Sequence, residues 1–87
     1  MNDPSKLTNW QRALTYPIEL RDGHRIETLQ QGATLITKHL PKARQARPGW
    51  GYAAELLMQA YKTGNPADIR AATDQLHRAL QVEGWLA

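Results

Sequence analysis

The sequence predicts an α+β fold: an N-terminal β-hairpin followed by three α-helices packed on one face of the sheet, in the order β-β-α-α-α. Three observations carry this. Trp10, Leu14, Tyr16, Ile18 and Leu20 share one parity, the alternation of a half-buried strand. The stretch "LRDGHRI", residues 20 to 26, supplies turn chemistry between two such runs. Beyond Thr28, apolar residues recur at helical spacing in three blocks, punctuated by Pro41 and Gly64. With 87 residues, the expected organisation is a flexible N-terminus at 1–9 and one small α+β domain at 10–87. A chain this short buries little more than ~60% of its unfolded surface, so its core is thin.

The hairpin register follows from the apolar pattern. A two-residue loop at Asp22-Gly23 would set Glu19 against Ile26, mixing the faces. A three-residue loop, Arg21-Asp22-Gly23, fits a type I turn with a G1 bulge and Gly23 in the left-handed region. Leu20 then faces His24, Glu19 faces Arg25, Ile18 faces Ile26, and Tyr16 faces Thr28. One face gathers Tyr16, Ile18, Leu20 and Ile26. The other carries a Glu19–Arg25 ion pair worth a few tenths of a kcal/mol. Pro17 falls at a non-hydrogen-bonded position, where a missing N–H blunts the outer edge. Trp10 and Leu14 run past the partner strand, an apolar overhang that suggests a homodimer contact.

Each helix carries its own signals. Thr28-Leu29-Gln30-Gln31 has the form of a capping box, and Leu29, Ala33, Ile36 and Leu40 recur behind it. Gly32 costs up to ~1 kcal/mol against alanine, a cost that close packing would offset. Pro41 ends helix one, and "PKARQARPGWG" reads as a loop. Helix two carries the stripe Ala53, Leu56, Leu57, Ala60 and Tyr61 and stops at Thr63-Gly64. Helix three starts at Asn65-Pro66-Ala67-Asp68, an N-cap with proline and an acid in the first turn, and buries Ile69, Ala72, Leu76 and Leu80. Gly84 closes it, and Trp85 returns onto Leu80.

This layout resembles the bacterial domain of unknown function family 982, small proteins of rhizobial type. The shared run covers about residues 16 to 86: "PIELRDGHRIET", a helix "QQGATLITKHLP" ending in proline, "GYAAELLMQAYKTG", "NPADIRAATDQLHRAL" and an apolar tail. The family usually shows tryptophan before that proline, where this chain has Leu40. The resemblance implies the fold and brings no activity with it.

Composition bounds the chemistry. There is no cysteine, so neither disulfides nor thiolate ligands are available. No apolar run approaches the ~18 residues of a membrane span, and the start lacks a signal-peptide core, so a cytoplasmic protein with no membrane partner is expected. Ser5 is the one serine and lies in the polar N-terminus, a poor base for a Ser-His-Asp site. His24, His39 and His77 are scattered, without metal-ligand spacing, and no cofactor is expected. Asp22, Glu19 and Glu27 each have an arginine nearby in sequence, which reads as ion pairing rather than acid–base chemistry.

Net charge is +3, and its distribution is uneven. Between Thr28 and Ala54 there is no Asp or Glu, while Lys38, Lys42, Arg44 and Arg47 all fall there, next to Trp50 and Tyr52. Basic side chains with an adjacent aromatic can track phosphates and stack a base, so Lys38, Lys42, Arg44, Arg47 and Trp50 are the candidate nucleic-acid or partner contacts. Trp50 is the tryptophan expected outside the core. A helix-turn-helix reading of the last two helices meets Asp68 and Asp74 on the would-be recognition helix. The expected function is a non-enzymatic interaction or regulatory module with a protein partner. The alternatives are a weak nucleic-acid binder using the basic loop 38–50 and, behind it, a small enzyme.

Overall fold

The computed structural model describes residues 9–87. Strand β1 (Ala13–Glu19) and strand β2 (Arg25–Thr28) form a two-stranded antiparallel sheet. Four helices follow: α1 (Leu29–Thr34), which continues as a π-helical turn (Leu35–His39); α2 (Lys42–Gln45), a single turn; α3 (Pro48–Thr63); and α4 (Pro66–Glu83). The α+β architecture with an N-terminal hairpin is the expected one. The segment read as a loop is mostly helical, with α2 and the first turn of α3 inside it. The expected flexible stretch 1–9 lies outside the described residues except for Asn9, whose Nδ2 donates to the Tyr61 carbonyl at 2.7 Å.

Near the turn the hairpin adopts the register chosen by the apolar pattern. Ile18 pairs with Ile26, Glu19 with Arg25, and Gly23 sits at φ +94°. The Leu20 N–H donates to the His24 carbonyl at 2.8 Å, closing the loop. Farther out the expectation fails: Thr28 pairs with Ala13, not Tyr16. The middle of β1 is instead drawn to α4. The Thr15 N–H donates to Thr73 Oγ1 at 3.1 Å, and the Tyr16 hydroxyl donates to Asp74 Oδ1 at 2.9 Å. Thr73 is fully buried and donates in turn to the Ile69 carbonyl. The Glu19–Arg25 ion pair does not form; the carboxylate nearest Arg25 is that of Glu27, at 3.9 Å.

The apolar overhang is covered within the chain. Trp10 stacks on Tyr61 with ring centroids 4.3 Å apart, and Leu14 is buried in the core. The feature that suggested a homodimer is therefore satisfied in cis. At the other end of the chain an isolated β-bridge meets the outer edge of β1. Leu86 bridges Leu20 antiparallel, with the Arg21 N–H on the Trp85 carbonyl and the Ala87 N–H on the Glu19 carbonyl.

The helices bury the predicted stripes with few changes. The capping box forms, with the Gln31 N–H on Thr28 Oγ1 and the Thr28 N–H on Gln31 Oε1. Gly32 marks a close crossing: a Cβ there would meet Leu76 at 3.0 Å and Leu57 at 3.4 Å, so the helical cost of glycine is offset by packing. In the π turn the Thr37 hydroxyl donates to the Ala33 carbonyl, and the wider turn buries Leu35 alongside Ile36. The Asn65 side chain caps α4, and Gly84 closes it in a Schellman arrangement with the Trp85 N–H on the Leu80 carbonyl. The core runs from Leu14, Ile18 and Ile26 through Leu29 and Leu57 to Leu76 and Leu80. Among the described residues no helix is long and apolar enough to cross a membrane.

Candidate functional site

The basic segment singled out from the sequence divides by its partners. Lys38 and Lys42 are exposed and enter no ion pair among the described residues. Arg44, Arg47 and Trp50 converge instead on Glu83, the last residue of α4. Trp50 Nε1 donates to Glu83 Oε1 at 3.1 Å, Arg44 Nη1 donates to Oε2, and Arg47 Nη1 stands 3.6 Å from Oε1. The Glu83 side chain is 2% exposed. Burial by itself would raise its carboxyl. The Trp50 and Arg44 hydrogen bonds and the two guanidinium charges outweigh that and hold it below the ordinary 4.5.

This cluster is a clasp between the end of α4 and the α2–α3 junction. Trp50, expected outside the core, is 2% exposed, because its position in the first turn of α3 points it at Glu83 and Trp85. A buried indole is not a stacking platform for a base. The acid that binds the two arginines lies outside the acid-free window, which is why the window looked uncompensated.

A broad concavity lies elsewhere. A groove of about 900 Å³ runs between the hairpin turn, β2, α1 and the Gly84-Trp85 corner. Its floor is Leu20, Ile26 and Leu35 with the half-buried Trp85. Around the turn stand Arg21, His24 and Arg25, and His39 comes in from the end of the π turn. The far end, at the β2–α1 junction, is lined by Gln11, Thr28, Gln30 and Gln31, which are polar and uncharged.

The chemistry of the rim follows from its bonds. Arg21 Nη1 donates to the Gly84 carbonyl at 3.1 Å, which orients the guanidinium without neutralising it. Asp22 is the one acid in the lining, and His24 occupies both of its oxygens. The His24 N–H donates to Oδ1 at 2.9 Å, and ring Nδ1 lies 2.8 Å from Oδ2. These bonds, the backbone one foremost, lower the Asp22 carboxyl from its ordinary value. The groove therefore pairs an apolar floor with an arginine-lined end, where Asp22 offsets part of the charge of Arg21 and Arg25. Sequence reasoning had placed Arg21 in the turn, Arg25 in a cross-strand pair and Trp85 in a helix cap. The cations on both sides of "DG" were the available signal, but their meeting with Trp85 and α1 depends on the fold.

Among the described residues no group of three His, Asp or Glu side chains is gathered closely enough to hold a metal ion. No family model matches this chain, and no curated protein or solved structure matches it.

Proposed function

We propose that the chain is a cytoplasmic, non-enzymatic interaction module whose contact surface is the groove between the hairpin turn, α1 and Trp85. The supporting observation is the combination of an apolar floor with a cationic end. Apolar contact supplies affinity, and charge at the margin supplies orientation and choice of partner. The resemblance of this layout to domain of unknown function family 982 is part of the proposal and brings no activity to it.

Thr34, the last residue of α1, lines the groove, so Thr34→Arg tests the reading by placing bulk and charge there. Proximity labelling in the native host should lose the wild type's partners in this variant, while its urea unfolding curve stays unchanged. An identical set of labelled partners would sink the proposal.

The nucleic-acid reading through Lys38, Lys42, Arg44, Arg47 and Trp50 has less support. Its stacking residue belongs to the core, and two of its four cations are held by Glu83. Lys38 and Lys42 alone would give log affinity against log salt a slope of about −2. A slope near −4 would restore that reading.

A further inference from the structure

The two edges of the hairpin sheet end differently. The outer edge of β1 is closed by the chain itself. The Glu19 carbonyl accepts from the Ala87 N–H at 3.1 Å, the Arg21 N–H donates to the Trp85 carbonyl at 2.9 Å, and the Thr15 N–H is on Thr73. Pro17 has no N–H to offer there. The outer edge of β2 faces the groove. Leu20–His24 and Ile18–Ile26 are the hydrogen-bonded pairs of the hairpin, so alternation turns the backbone groups of Arg25 and Glu27 outward. The Glu27 N–H is taken by Gln31 Oε1 at 2.6 Å. The Arg25 N–H has no partner among the described residues, and Arg25 lines the groove.

We infer that the groove takes an extended peptide, apolar in its middle and acidic at one end, added as a strand to β2 at Arg25. This rests on the groove being the contact surface. Strand addition explains why one edge of the sheet is covered and the other opens into a concavity, since unpaired edge groups are the template for an incoming strand. Alternate side chains of such a peptide fall on the Ile26 side, over the floor that Leu35 and Trp85 complete. Charge sets its direction. Arg21 and Arg25 stand at the turn end, where the acid Asp22 is already bound to His24. Gln30 and Gln31 at the other end offer no cation, while Glu27 pairs only loosely with Arg25, at 3.9 Å between half-exposed side chains. The acidic residues therefore lie over the turn.

The test titrates the ¹⁵N-labelled full chain with the blocked peptide Leu-Thr-Leu-Glu-Glu. Chemical shift changes should concentrate at Arg25, Ile26, Leu35 and the Trp85 indole. Leu-Thr-Leu-Lys-Lys should bind at least about tenfold more weakly. Methylating the central backbone nitrogens of the acidic peptide should weaken it by a similar factor, because strand pairing needs those donors. Arg25→Glu, a change on an exposed side chain, should reverse the preference between the two peptides. Absence of shifts at about millimolar peptide, or undiminished binding of the methylated form, overturns the inference. Octanoate or the lysine peptide seated in the groove at equal affinity overturns the acidic strand but leaves the groove as a contact surface. Partner labelling that survives Thr34→Arg removes the groove reading itself.

Discussion

Arg44 and Arg47 lie three residues apart in the chain and Arg21 and Arg25 four, yet the two pairs end in opposite electrostatic states. The first pair closes on the buried Glu83 carboxylate together with the Trp50 indole. The second is left at the end of a groove, with Arg21 on a carbonyl and Arg25 3.9 Å from an exposed glutamate. Local charge density favoured the first pair as a binding surface. What decides the matter is whether the fold delivers an acid. Glu83, distant in sequence, reaches Arg44 and Arg47 because Gly84 turns the chain there and α4 packs along α3.

The sharpest way to break this contrast is Trp50→Ala. A fully packed indole in the clasp should cost about 3–5 kcal/mol on truncation, read from urea unfolding. A loss under about 1 kcal/mol would return Trp50 to the surface and reopen the stacking role.

Glu83→Gln comes next. It keeps the shape and an acceptor for Trp50 but leaves two arginines without their carboxylate, at a cost of about 1–3 kcal/mol. The pH dependence gives a signature that packing alone would not. Glu83 is held below its ordinary 4.5 in the folded chain, so just below that value the unfolded state binds the additional proton. Its stabilisation is complete above the unfolded value and fades as pH falls through the depressed folded one. The midpoint of urea unfolding, followed between roughly pH 2 and 6, should therefore fall less steeply in Glu83→Gln than in the wild type. Asp22, also depressed, keeps its own share of the slope in both proteins.

Gly23→Ala probes the other region. No atom lies within 4 Å of the added Cβ, so the cost is the left-handed backbone at φ +94°, about 1 kcal/mol. A larger loss would mean that the turn is packed rather than open. The smallest effect belongs to Arg25→Glu, expected within about 0.5 kcal/mol of wild type because its side chain is half exposed and weakly paired. A destabilisation near that of Glu83→Gln would show that the rim is clasped as tightly as Arg44 and Arg47, and the contrast would collapse.

Much of the fold was legible in particular residues. Gly23 and the parity of Ile18, Leu20 and Ile26 selected the turn, and Thr28 with Gln31, Asn65 with Pro66, and Gly84 with Trp85 marked helix ends. The candidate site was less legible. Lys38, Lys42, Arg44, Arg47 and Trp50 are neighbours in the chain, but Arg44 and Arg47 pair with Glu83 and Trp50 is buried. Arg21, Arg25, Leu35 and Trp85 share a groove although three elements and the C-terminal corner supply them.

Turn type, capping and helical stripes are settled by interactions across about four residues or fewer, so the sequence by itself determined the element order, the hairpin register near its loop and most of the core. The tertiary structure alone decided the rest. It placed Glu83 among the arginines, Thr73 under β1, Tyr61 over Trp10, and Leu86 along the outer edge of the sheet. Each of these partners is far away in the chain, and a buried polar or half-buried aromatic group takes whichever partner the packing of the helices brings within reach.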